Sequence, residues 1–239
     1  MDKLGPYELN TIVTGDARIL AESIPDESVD LIFTDPPWGI DFKYSNGYQD
    51  NPDNYISLVT WIVDQSNRVL KPGGFAFVYQ ATKRLREIWS YFPEDSRLFS
   101  SCKNFIQLKK IPVEYAIDYI VFWQKTGDFN LSGMVRDWHI ANTADTSNGS
   151  RGVKYKTSPP RPLDAVIDIV SKMSSSSQVI VDFFAGSGTT ILAAKKLGRN
   201  YLAFEIDPAT ADKARQRVEM TQPLLFIIQP EQVSMFEVG

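Results

Sequence analysis

Short apolar, β-branched runs alternate with helix-patterned segments along most of this chain, and no other feature of its 239 residues restricts the fold as strongly. Runs near 10–14, 29–34, 74–80, 103–108, 117–123, 178–183 and 200–205 read as strands. Between them, 53–70 sets Tyr55, Val59, Ile62, Val63, Ser66 and Leu70 at helical spacing before Lys71-Pro72-Gly73-Gly74 stops the pattern. A helix over 162–173 opens on Pro162, whose missing N–H is harmless in a first turn. It places Leu163, Val166, Ile167, Val170 and Met173 on one face. Helices near 188–198 and 208–219 complete the set. Strands alternating with helices predict a doubly wound α/β sheet, whose ligands lie beyond the carboxyl ends of its strands.

Two of those strand ends carry chemistry. The apolar run Val29–Thr34 leads into Asp35-Pro36-Pro37-Trp38. Proline fixes φ and removes a donor, and the residue before it is held extended, so this backbone is stiff and rich in acceptors. An ionised Asp accepts hydrogen bonds only. Asp35 and the Pro36 carbonyl therefore form an acceptor pair for an amino group, with Trp38 as a stacking face worth about 1–3 kcal/mol to a nucleobase. Asp-Pro-Pro is also a good turn sequence, and a neighbouring Trp can simply pack on the core.

The second strand end is 178–190, Gln-Val-Ile-Val-Asp-Phe-Phe-Ala-Gly-Ser-Gly-Thr-Thr. The strand ends at Asp182, and Gly186 and Gly188 turn the chain into a helix whose N-terminal N–H groups are free. About twenty residues on, as the spacing for ribose recognition requires, another strand ends at Glu205. A phosphate-binding loop needs a Lys before the Ser/Thr pair, and none precedes Thr189-Thr190; a dinucleotide fingerprint needs a third glycine, and position 191 is Ile. A nucleoside cofactor without a pyrophosphate remains, and S-adenosylmethionine fits.

At 43% hydrophobic and 23% charged, the chain reads as one globular domain over 1–239, large enough for a full α/β core. No run approaches the ~18 apolar residues of a membrane span, and the N-terminus lacks a signal-peptide pattern. The single Cys102 has no partner for a disulfide or a zinc site. A reduced, cytoplasmic setting without a metal is expected. Net charge is −4, but positions 80–161 hold 13 Lys and Arg against 8 Asp and Glu. That is the pattern of a phosphate-facing segment on an acidic scaffold. Two irregular stretches interrupt the alternation. One is 39–52, with Phe42, Tyr44 and Tyr48, read as a mobile lid; the other is 126–158, polar and lightly basic, with Trp138-His139 near its centre.

In four stretches the chain resembles the amino-methylating DNA methyltransferases of bacteria and their phages, which act on adenine N6 or cytosine N4. These are Thr14-Gly15-Asp16, the run 29–40, Arg68-Val69-Leu70-Lys71-Pro72-Gly73-Gly74, and Phe184-Ala185-Gly186-Ser187-Gly188-Thr189-Thr190, extended by Leu197-Gly198-Arg199-Asn200-Tyr201 and Glu205. The catalytic motif precedes the cofactor motif, the permuted order called the β class. The resemblance implies a Rossmann-like, seven-stranded, circularly permuted fold that binds S-adenosylmethionine through Asp182, the 184–190 turn and Glu205. It further implies that Asp16 approaches the cofactor adenine and that Ser158 and Arg161, in the element before helix 162–173, border the same pocket. The chain departs from the family pattern in Asp182-Phe183-Phe184 where Asp-Pro-Phe is usual, in a loose match over 156–162, and in Trp38 where Tyr is commoner. The last tilts the target towards adenine.

A base within a duplex must flip out to reach such a site. The expected function is methylation of adenine N6 in duplex DNA, in a restriction–modification setting. Asp35, Pro36, Pro37 and Trp38 are the catalytic group, and target recognition lies in an insert within 81–155. Tyr44, Tyr48, Lys83, Arg84, Arg86, Arg136, His139 and Arg151 are candidate DNA contacts; a solvated helix face for 83–86 and a structural role for His139 are the plain alternatives. A homodimer or partner subunit would complete so short a recognition segment. Cytosine N4 methylation, RNA adenine methylation and a catalytically silent nucleic-acid-binding subunit are the competing readings.

Overall fold

The computed structural model describes residues 3–44, 48–107, 115–128, 134–141 and 161–223. The elements run β1 (Lys3–Leu4), β2 (Tyr7–Glu8), β3 (Thr11–Thr14), α1 (Ala17–Leu20), β4 (Val29–Thr34), α2 (Tyr55–Val69), β5 (Leu70–Gln80), α3 (Leu85–Ile88), β6 (Arg97–Gln107) and β7 (Tyr115–Gln124). They continue as β8 (Trp138–Ala141), α4 (Leu163–Met173), β9 (Val179–Asp182), α5 (Thr189–Lys196), β10 (Asn200–Glu205) and α6 (Pro208–Glu219). The first two strands make a small antiparallel hairpin. The other eight form one sheet in the order β3-β10-β9-β4-β5-β7-β6-β8. From β3 to β5 the strands are parallel, β7 is antiparallel to both β5 and β6, and β8 is parallel to β6.

All seven expected strands are present in the Rossmann-like sheet. The eighth, β8, falls in the stretch read as irregular, because four residues are too few for alternation to stand out. β5 starts at Leu70, so Lys71-Pro72-Gly73-Gly74 ends the helix by turning directly into a strand. Pro162 proves to be the residue preceding α4 rather than its first member.

Alternation across the pleat divides the core. Ile32, Val181, Leu202 and Phe204 face one layer with Val59, Ile62 and Val63 of α2. Leu31, Phe33, Ile180 and Ala203 face the other, against Val166, Ile169 and Val170 of α4 and Ile191 of α5. Val59 and Ile62 are fully buried, each contributing about 1.5–3 kcal/mol, so packing rather than propensity holds α2. Strand order reverses between β9 and β4: from β9 the sheet runs out through β10 to β3, from β4 through β5 to β7. Such a reversal opens a crevice at the carboxyl ends of the two central strands.

Candidate active site

The register Leu31↔Ile180 and Ile32↔Val181 brings Asp35 and Asp182 out of adjacent strands into one cavity of about 690 Å³. Thr34 ties the strand ends together, its hydroxyl donating to Asp182 Oδ1 at 2.7 Å, and the Phe184 N–H donates to the same oxygen at 3.0 Å. Burial pushes the Asp182 carboxyl up to about 7, with those donors pulling the other way and the negative charge of Asp35 adding to the rise.

The glycine turn after β9 shapes one end of the cavity. Gly188 caps α5 at φ 79°, a left-handed conformation that a side chain would strain. A Cβ at Gly186 would meet only the Phe184 carbonyl, at 3.9 Å, so the bare backbone there leaves the cavity open. The Gly186 and Asp207 N–H groups each donate at 2.9 Å to the two oxygens of Glu205, which fixes a carboxylate with lone pairs left for a diol. Burial raises the Glu205 pKa, those N–H donors opposing it. Phe184, Ala185, Ser187, Thr189 and Thr190 line the same cavity, and Arg217 braces the turn by donating to the Ser187 carbonyl at 2.9 Å. Phe183, standing where proline is usual, is buried against Trp61 with ring centres 5.3 Å apart. The substitution is thus absorbed by α2.

Asp35, Pro36, Pro37 and Trp38 form the other end. The loop that follows is drawn tight by Asp50, which is buried and accepts the N–H groups of Gly39, Ile40 and Phe42 at 2.6, 2.9 and 3.1 Å. Gly39 has φ 59°, and a Cβ there would lie 2.5 Å from Tyr55 Cβ. Tyr44 sits between Phe42 and Tyr48, at 4.8 and 5.6 Å, and all three face the cavity. Arg161, expected beside the cofactor, also lines the cavity, but its guanidinium lies at the Asp35 end. Nε and Nη2 donate to the two Asp35 oxygens at 2.7 and 3.0 Å, and Nη1 donates to Asp118 at 3.0 Å.

Other candidates scatter. Asp16 caps α1 and pairs with Arg18; burial opposes its charge, but the Arg18 hydrogen bonds and charge prevail and hold the carboxyl low. Its neighbours Gly15 and Ala17 reach the cavity. Lys83 lies on the cavity rim and Arg86 is exposed. Arg84 turns inward, 4.9 Å from the Tyr55 ring centre and donating to the Pro52 carbonyl at 3.1 Å. Arg136 is exposed over the Trp138 ring. His139, on β8, faces α4, 3.6 Å from Asp164 and 3.8 Å from Asp168. Ser158 and Arg151 lie outside the described residues. Sequence reasoning missed Tyr79, Asp118 and Asp50. Asp118 did leave a signal, a single acid within the apolar strand β7; Asp50 left none.

Fold and site together define a class: a doubly wound α/β domain with a nucleoside-sized pocket at its switch point and an acid–aromatic slot opening into the same cavity. The sequence profile of the DNA methylase family, covering N6 and N4 methyltransferases, matches residues 29–216, and the chain belongs to that family. It is 26% identical over 257 residues to the type II methyltransferase M.BamHI of Bacillus amyloliquefaciens, over 90% of this chain but 59% of that relative. The chain thus spans under two thirds of M.BamHI. Among solved structures, the M1.HpyAVI–SAM complex is similar at TM-score 0.67 and 20% identity, over 88% of this chain and 99% of the other. The cytosine-N4-specific PvuII DNA methyltransferase is similar at TM-score 0.69 and 20% identity, over 86% and 85%.

Proposed function

We propose that this protein transfers a methyl group from S-adenosylmethionine to adenine N6 of a base flipped out of DNA. One observation carries the reading: Asp182 and Asp35 emerge from adjacent strands into a single cavity, one beside the glycine turn and Glu205, the other beside Trp38. The residues present suit the cofactor. Glu205 would accept from the ribose hydroxyls, Phe184 would cover an apolar face, and Asp182 and Asp35 would surround a cationic sulfonium with acceptors. When bound, S-adenosylmethionine supplies an electrophilic methyl group.

The chain's own residues do the rest. Asp35 and the Pro36 carbonyl accept the two amino hydrogens of the target, which favours a pyramidal nitrogen with its lone pair free. Trp38 stacks on the base and offsets part of the few kcal/mol needed for flipping. Rate enhancement comes mainly from positioning and electrostatics, and Asp35 takes the proton released after transfer. Lys83 and Tyr48 at the cavity rim and the exposed Arg86 are the DNA contacts this reading favours, with a second copy of the chain or a partner subunit extending the contact. The larger purine matches the indole face of Trp38. Cytosine N4 is the second reading, favoured by the likeness to the PvuII enzyme.

Labelled S-adenosylmethionine, incubated with the protein and duplex DNA, single-stranded DNA or RNA, tests this once the nucleic acid is digested. Label on N6-methyldeoxyadenosine is expected. Label on N4-methylcytosine moves the reading to the second target, and label on RNA alone, or on nothing, refutes it.

A further inference from the structure

Arg161 makes two of the contacts that the proposed function assigns to the target base, those to Asp35 and Trp38. It pairs with both Asp35 oxygens, and its guanidinium carbon lies 4.4 Å from the Trp38 ring centre and 4.8 Å from that of Tyr79. A guanidinium is planar, edged with N–H donors and able to stack on aromatic faces, so it offers this slot what the amino edge of a purine offers. A base stacked on the same face of Trp38 and donating to Asp35 would overlap the guanidinium.

We infer that Arg161 is a built-in stand-in for the target base, and that a flipped base gains Asp35 only by displacing it onto Asp118. The inference rests on the base-methylating reading above and adds to it a group that competes with the substrate. Burial decides the direction of exchange. The Asp118 side chain is 1% exposed and that of Asp35 is 31% exposed, and losing a charge partner costs a buried carboxylate more than one that water can reach. Arg161 therefore pivots on Asp118, through the Nη1 contact it already makes, and releases the more exposed Asp35. With the arginine in place, Asp35 is held in orientation and Trp38 is covered. Weakly complementary bases fail to displace it.

The test measures binding of 9-methyladenine, a probe free of any recognition sequence, to the protein saturated with S-adenosylhomocysteine. The readout is the Trp38 indole N–H resonance, assigned with Trp38→Phe. An occupant that fills the slot nine-tenths of the time weakens apparent affinity about tenfold. Arg161→Met should therefore bind the probe about tenfold tighter than the native chain, with S-adenosylhomocysteine affinity unchanged. Asp118→Asn/Arg161→Met, which removes both charges of this contact together, should show the same tightening with the native melting temperature. Equal or weaker probe binding in the folded double variant overturns the inference, as does a loss of S-adenosylhomocysteine affinity without any change for the probe. Tightening in a protein that methylates no nucleic acid would instead leave the slot assignment standing and remove the proposed function.

Discussion

Asp182 is a carboxyl that the fold prefers protonated. Its value near 7 exceeds the ordinary 3.8, so its contribution to stability is fully present below about pH 4 and fades as pH rises towards 7. Replacing it with Asn should flatten the dependence of melting temperature on pH over that range. A cationic ligand would drive its ionisation, so S-adenosylmethionine affinity should rise from pH 6 to 7.5 in the native chain with release of a proton, and Asp182→Asn should lose that slope; calorimetry in buffers of different ionisation enthalpy checks both. At the other acid, Asp35→Ala should abolish methyl transfer while cofactor binding stays within about threefold, since the acceptor that holds the target amine is removed while Glu205, Phe184 and Asp182 remain for the cofactor. Substantial residual turnover would count against the assignment. Both acids were legible in the sequence because each ends an apolar strand beside residues that bend or stiffen the backbone. Asp118 left only the weaker signal of a lone acid in an apolar strand, because the partner that explains it, Arg161, lies 43 positions away. Arg161 was expected, from the resemblance, to border the cofactor pocket; it does line the cavity, and what the sequence did not show is its pairing with Asp35 and Asp118.

The 39–52 segment shows how an element of the site can escape sequence reading. Its length and aromatic content marked it as a lid, whereas the residue that organises it is Asp50, through three backbone N–H groups. No spacing rule announces such an acceptor. Asp50→Ala would leave those donors without their acceptor at a cost of about 1–3 kcal/mol for each one still buried, and the loop should open before the sheet does. Faster amide exchange at Gly39, Ile40 and Phe42, with base-probe binding reduced and cofactor binding retained, is the expected outcome. Gly39→Ala meets Tyr55 and a left-handed φ together, so a fall in unfolding free energy of about 1–3 kcal/mol is expected from urea titration.

At the scale of the molecule, the alternation of strands and helices carried most of the architecture. What it could not carry was the edge, where β8 is short and pairs with β6 across non-local sequence. The basic middle segment resolves into exposed groups such as Lys83 and Arg86 and an inward one, Arg84. Lys83→Ala should weaken binding to all duplexes uniformly and reduce the slope of log affinity against log salt by about one; an unchanged slope would remove Lys83 from the phosphate contacts. The sheet order has one more consequence, for synthesis. β3 and β4 leave the ribosome early, but their neighbours in the finished sheet, β10 and β9, are translated last of all its strands. A nascent chain can display Asp35 and Trp38 while two central places in its sheet stand open. The glycine turn and Glu205 arrive only when those places are filled, so under the proposed function methyl-donor binding, and with it methyl transfer, would wait for the late strands to slot into the middle of the fold.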